Sequence, residues 1–227
     1  MINKIYLHPL PLRMWHWANA LIIAILIITG VQLRIPGVAS LNPHDSALVI
    51  HKYAGWSMVV SCIFWLAYSL MSGNLKRQYV TKILDFKGLL IQAKYYLYSI
   101  FKGGQNPFRP SPDNKFNPLQ KLAYSAIMLF FAPLVVCTGL FVSDILFIRK
   151  YVLLWNLAGV LNALHVIGAY VFTVFLVIHI YMATLGPTAF SHIKSMIVGF
   201  DEEPDLLIHE GGTQVINAPD VTTESGS

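Results

Sequence analysis

Four histidines fall inside long apolar runs, where an ionisable side chain is costly and is a functional candidate by default: His16, His51, His165 and His179. His165 and His179 are 14 residues apart. At 100° per residue that spacing returns to one helix face within about 40° and separates the two by roughly 21 Å along the axis. One helix therefore offers an imidazole near each end of a membrane crossing. Neutral imidazole is a common metal ligand, and an iron that takes one axial ligand from each face of a macrocycle needs two imidazoles at one depth. Taken singly, each of these histidines has an ordinary use as a hydrogen-bonded contact between helices. Nothing in that use requires them to fall into pairs.

Pairing depends on the elements that carry them. A helix crosses the roughly 30 Å hydrocarbon core with about 20 apolar residues, and four runs are long enough: Trp15–Leu33, Leu48–Ser72, Leu119–Val142 and Leu161–Leu185. The expected fold is an all-α membrane protein, a four-helix transmembrane bundle. Of the 16 Lys and Arg residues, only Arg34, Lys52, Arg149 and Lys150 lie on one side; the amino terminus, the Gly73–Pro118 segment, the region after the fourth run and Lys121 at the start of the third run hold the other twelve. The positive-inside rule then puts both termini in the cytoplasm of a bacterium, with the chain in its inner membrane. Under that topology His51 and His165 share the periplasmic level, and His16 and His179 share the cytoplasmic level. Two imidazoles at matched depth on different helices suit a six-coordinate haem at each level. Zinc or copper would need further ligands, and the sequence supplies no Cys, Asp or Glu at those depths.

The composition fits that reading. Hydrophobic residues make up 56% of the chain and charged residues only 12%, which excludes an ordinary water-soluble domain. The net charge of +5 lies beside apolar segments, where topology and anionic lipid explain it and nucleic acid does not. Cys62 and Cys137 both sit in apolar runs, and the absence of C-x-x-C-H excludes the usual covalent c-type attachment, so any haem is expected to be of b type, held by ligation and packing. The first run is too long, and lacks the small-x-small site, of a cleaved signal. Gly30, Gly55, Gly139 and Gly168 would let a flat macrocycle, or simply a neighbouring helix, approach the backbone. His8, His44, His192 and His209 lie outside the spans, while Arg13, Lys52 and Arg77 are placed for either haem propionates or lipid. Trp15, Trp17, Trp56 and Tyr124 are expected at the headgroup level. Residues 85–101 read as an amphipathic helix on the membrane surface or on the end of the bundle. The bundle domain is expected to cover 1–200, and the acidic residues 201–227 to form a disordered cytoplasmic tail. No internal repeat is evident.

The segments Arg13-Met14-Trp15-His16-Trp17 with Thr29-Gly30, His51-Lys52-Tyr53-Ala54-Gly55, Asn117-Pro118-Leu119-Gln120-Lys121 with Thr138-Gly139, and His165 through His179 to Tyr181-Met182-Ala183 occur in that order. Together they resemble the dihaem cytochrome b subunits of respiratory nickel-iron hydrogenases, formate dehydrogenase and thiosulfate reductase. The resemblance implies the same haem pairing and adds a quinone site, for menaquinone or ubiquinone, on the cytoplasmic side. Asn117 and His179 occupy its matching positions, with Gln120 and Lys121 as second contacts. Read from sequence alone, Asn117 is an N-cap with Pro118 at the first helical position. The segments Gly186-Pro187-Thr188 and Ser191-His192-Ile193-Lys194 depart from the hydrogenase branch, and look more like thiosulfate-reductase-type and cytochrome-c-linked subunits.

The expected function is that of a membrane-anchoring, quinone-reactive dihaem subunit of a respiratory oxidoreductase complex. It would pass electrons between a periplasmic partner, of iron-sulfur, molybdenum, nickel-iron or multihaem c type, and the quinone pool. The rivals are a free-standing cytochrome b561-like quinone oxidoreductase, and a haem-free scaffold or transporter whose histidines are only helix contacts.

Overall fold

The computed structural model of the chain describes residues 3–35, 44–80, 85–104, 106–108, 115–143, 152–185, 188 and 190–203. Strand β1 is Asn3–Tyr6, and helices α1 (Leu10–Arg34) and α2 (His44–Met71) form the first two spans. Helix α1 opens with Pro11 in its first turn and closes on Arg34, a cation at the negative end of the helix dipole. A π-helical turn at Leu75–Val80 leads to α3 (Phe86–Lys94), which runs on through Tyr95–Ser99 and Ile100–Lys102. The third span consists of α4 (Pro118–Ala126), a π-helical turn at Ile127–Phe131 and α5 (Ala132–Ser143). Helix α6 (Val152–Ala183) contains the fourth, and α7 (Ser191–Val198) and β2 (Phe200–Glu203) follow. The spans run for 25 to 27 residues each, long and apolar enough to cross a bilayer.

The widened turn in the third span has a visible cause. Pro133 lacks an N–H and its ring crowds the carbonyl four residues back; a π turn just ahead of it, closed by the Ala132 N–H on the Ile127 carbonyl, relieves that conflict.

Burial is inverted relative to a water-soluble protein. Asn19, Thr29, Gln32, Ser69, Lys121, Ser125 and Thr138 are buried, whereas Leu21, Val60, Phe130, Val174 and Val177 are exposed. Apolar side chains on the outside are what a hydrocarbon solvent selects.

The spans pack as two antiparallel hairpins. Along α1 and α2, the Trp15 ring lies 6.5 Å from Trp65, Ser61 donates to Asn19 at 2.8 Å, and Thr29 meets His51. Each step up one helix is an equal step down the other. The third span and α6 keep register in the same way, with Tyr124 against His179, Val135 against Gly168 and Thr138 against His165.

The all-α four-helix bundle is as expected, with one short addition: β1 and β2 pair antiparallel from Asn3↔Glu203 to Tyr6↔Phe200. The first acidic residues, Asp201, Glu202 and Glu203, lie in β2 by main-chain pairing with β1. Residues 204–227 lie outside the described residues. The helix expected at 85–101 packs on the end of the bundle, with Gln92 fully buried and Gly88 close against Pro118. Its Phe86, Leu90, Leu97 and Phe101 face outward.

Candidate functional site

The two hairpins bring the four intramembrane histidines into two pairs. The rings of His51 and His165 have centroids 6.3 Å apart, and those of His16 and His179 are 6.1 Å apart. Two imidazole nitrogens about 2 Å from one metal, each roughly 1 Å from its own ring centre, would give about 6 Å between centroids. Among the described residues, no cluster of three or more His, Cys, Asp or Glu surrounds either pair. This donor set suits an iron whose equatorial ligands come from a macrocycle; a tetrahedral zinc would lack half of its ligands.

The hydrogen bonds at His51 and His165 decide which ring nitrogen is available. Thr29 gives its hydroxyl proton to the Ile25 carbonyl at 2.6 Å and stands 2.8 Å from His51 Nδ1. With that proton committed, the Thr29 oxygen accepts from Nδ1–H. The Leu26 carbonyl reaches the same ring. At the other ring Thr138 donates to the Leu134 carbonyl at 2.7 Å and lies 3.3 Å from His165 Nδ1, which also contacts the Val135 carbonyl at 3.0 Å. A carbonyl can only accept, so His165 Nδ1 carries the proton as well. Both tautomers leave an Nε2 lone pair for a metal, the arrangement that orients most ligating histidines. The two hairpins thus repeat one device, a Thr-Gly on the first helix clasping a histidine on the second. A Cβ on Gly30 would lie 3.5 Å from His51 Cε1, and one on Gly139 only 2.8 Å from His165 Cε1.

The second pair is built differently. His179 Nδ1 is 3.3 Å from the Tyr124 hydroxyl, and Phe175 stacks on the ring at 5.7 Å. His16 Nδ1 is buried without a partner, and Trp17 meets that ring edge-on at 5.3 Å. Tyr124, expected at the headgroup level, sits on α4 with its hydroxyl beside the His179 ring, and Trp15, expected there too, donates to the Ser61 carbonyl within the first hairpin.

Asn117 is the N-cap expected of it. Its Oδ1 accepts from the Gln120 N–H at 2.9 Å, and the Gln120 side chain accepts from the Asn117 N–H at 3.2 Å, a capping box. The Asn117 amide also donates to the Tyr96 hydroxyl at 3.0 Å, which leaves one amide proton uncommitted. Burial pushes the Tyr96 phenol up, so it remains protonated. Lys121 is buried, with Nζ 3.5 Å from the Arg77 carbonyl. Of the candidate cations, Arg13 turns to the Ile197 carbonyl, Arg77 to Asn74, and Lys52 is exposed.

Gly139 was expected as a place of close approach, whereas Thr29, Thr138 and Tyr124 were not expected as parts of the site. A signal for the first two was present in the repeated Thr-Gly dipeptide. Tyr124 and Thr138 stand as far apart as His165 and His179 do, which is the mark of a matched antiparallel helix.

Four apolar spans around paired, oriented imidazoles define a membrane cytochrome of the b type. The prokaryotic cytochrome b561 family matches residues 7–199, and the chain belongs to that family. It is similar to the Escherichia coli (strain K12) protein named "Putative cytochrome YdhU", at 30% identity over 207 residues that cover 87% of this chain and 75% of the relative. The chain is thus a cytochrome b561-like bacterial membrane protein, and its family implies haem b and electron transfer.

Proposed function

We propose that this protein holds two b haems, one between His51 and His165 on the periplasmic side and one between His16 and His179 on the cytoplasmic side of the inner membrane. It serves as the membrane-anchoring subunit of a respiratory oxidoreductase complex. Electrons pass between a periplasmic redox partner and the quinone pool. The observation that carries this reading is the pair of His–His separations, 6.3 and 6.1 Å, set 14 residues apart on α6, or roughly 21 Å along its axis. Haem b, when bound, accepts and donates single electrons. The chain's own residues present Nε2 lone pairs, exclude water from the rings and fix the two levels.

Quinone binds on the cytoplasmic side in this reading, near Asn117, Gln120 and Lys121. What supports it is their place at the end of the bundle that carries His179, which Tyr124 links to α4. Both termini are cytoplasmic, residues 1–200 form the membrane domain, and the acidic residues from 201 onward lead into a cytoplasmic tail.

A pyridine-haemochrome count on the detergent-purified protein tests the core of this. Two b haems are expected in the wild type and one each in His165→Ala and His179→Ala. A haem-free wild type would sink the reading and favour a scaffold or transporter. Membership of the b561 family fits a free-standing quinone oxidoreductase equally. Co-purification separates the two: a second subunit carrying iron-sulfur, molybdenum, nickel or c haem supports the complex, and a lone chain that reacts with quinone supports the free-standing enzyme.

A further inference from the structure

The four intramembrane histidines are not equally served at Nδ1. His51 donates from Nδ1 to the Thr29 oxygen at 2.8 Å, with the Leu26 carbonyl at the same ring, and His165 donates to the Val135 carbonyl at 3.0 Å with the Thr138 oxygen at 3.3 Å. Both threonine hydroxyls donate onward, Thr29 to the Ile25 carbonyl at 2.6 Å and Thr138 to the Leu134 carbonyl at 2.7 Å. A hydroxyl that donates in this way is polarised and becomes a better acceptor. His179 has a single such neighbour among the described residues, the Tyr124 hydroxyl at 3.3 Å. His16 Nδ1 meets no partner among them, and it is closed to solvent, so bulk water does not take the acceptor's place.

The rings at the second pair also have aromatic surroundings. Phe175 stacks on His179 at 5.7 Å with 17° between the planes, and Trp17 meets His16 edge-on at 5.3 Å. Two things stabilise an imidazole-ligated iron in its oxidised, more positive state: electron density pushed onto the ring when Nδ1–H is hydrogen-bonded, and polar surroundings. Both are stronger at His51 and His165. Their weakness at His16 and His179 favours the reduced state there.

We propose that this unequal hydrogen bonding makes the His16/His179 position the higher in potential of the two, so that electrons run toward it from the His51/His165 position and the protein reduces quinone rather than oxidising quinol. The inference rests on the dihaem reading above. In that reading the periplasmic redox partner is the reductant, and a quinone at the His179 end takes up two electrons, with two protons from the adjoining water, to become quinol. An electron moving inward works against a membrane potential that is negative inside. A better electron acceptor at the inner position offsets that opposition, and the Thr29 and Thr138 clasps that lower the outer potential are the device that sets the gap. A preference of about tenfold for the electron at the His16/His179 position corresponds to about 59 mV.

The test is a potentiometric titration of the detergent-purified whole protein, followed at the haem α band, with variants that assign each midpoint. The upper midpoint is expected to persist in His165→Ala and to vanish in His179→Ala. Thr29→Val and Tyr124→Phe keep all four ligands, so they assign the midpoints even where an alanine variant loses both haems. Thr29→Val should raise only the lower midpoint and narrow the gap; Tyr124→Phe should raise only the upper one and widen it. Coincident midpoints, an upper midpoint that vanishes in His165→Ala or moves with Thr29→Val, or a gap that neither variant changes would overturn the proposed order while leaving two haems in place. A wild type with fewer than two haems would instead remove the dihaem reading, and this inference with it.

Discussion

The two threonine hydroxyls at the His51 and His165 level do the same task with different weight. Thr29 is the nearer acceptor for its histidine, at 2.8 Å, whereas Thr138 stands 3.3 Å from His165 Nδ1 and the Val135 carbonyl, at 3.0 Å, is the nearer one. A hydrogen bond from Nδ1–H makes the imidazole a stronger donor to iron and stabilises the oxidised state. Thr29→Val, which keeps the shape and removes the acceptor, is therefore expected to raise the potential of the haem we propose between His51 and His165. Loss of about 1 kcal/mol of net hydrogen bonding corresponds to about 40 mV for one electron. Thr138→Val should move it less, and Thr29→Ser should restore it. A redox titration of the three variants reads this directly; equal shifts from Thr29→Val and Thr138→Val, or none, would show that the carbonyls alone orient the rings.

At the level of elements, constant register within each hairpin makes the glycines unequal. A methyl group at Gly139 would press on His165 at 2.8 Å, one at Gly30 would make ordinary contact with His51 at 3.5 Å, and one at Gly55 would meet nothing within 4 Å. Overpacking typically costs about 1–3 kcal/mol. Gly139→Ala is therefore expected to lower occupancy of the haem proposed between His51 and His165, Gly30→Ala to change it little and Gly55→Ala not at all, by haem count per chain. The spans, the N-cap at Asn117 and the pairing of histidines were all legible in the sequence, because they follow from hydropathy, a local motif and helical period. The unread features depend on which face meets which. No periodicity reveals that the hydroxyl proton of Thr29 is spent on Ile25, that Tyr124 on α4 meets His179 across the hairpin, or that β1 finds β2 some 200 positions later.

For the molecule as a whole, the pairing of β1 with β2 places both described ends of the chain on one face of the bundle. That face also carries α3 and the turn that continues it, whose outward Phe86, Leu90 and Leu97 stand beside the exposed Lys87 and Lys94. Apolar side chains flanked by lysines suit the boundary between acyl chains and anionic headgroups. The side opposite carries the start of α2, with Asp45 exposed in its first turn. Charge bias assigns the α3 face to the cytoplasm, and the assignment is what puts His16 and His179 on the inner side. It can be measured on a chain in which Cys62 and Cys137 are replaced by alanine and one new cysteine is added. A membrane-impermeant maleimide applied to intact spheroplasts should label Asp45→Cys and leave Lys87→Cys unlabelled until the membrane is opened. The reverse pattern would exchange the two levels, placing the Tyr124-linked pair toward the periplasm and the Thr-Gly pair toward the cytoplasm. The geometry of each pair would stand, but quinone and redox partner would then have to trade sides.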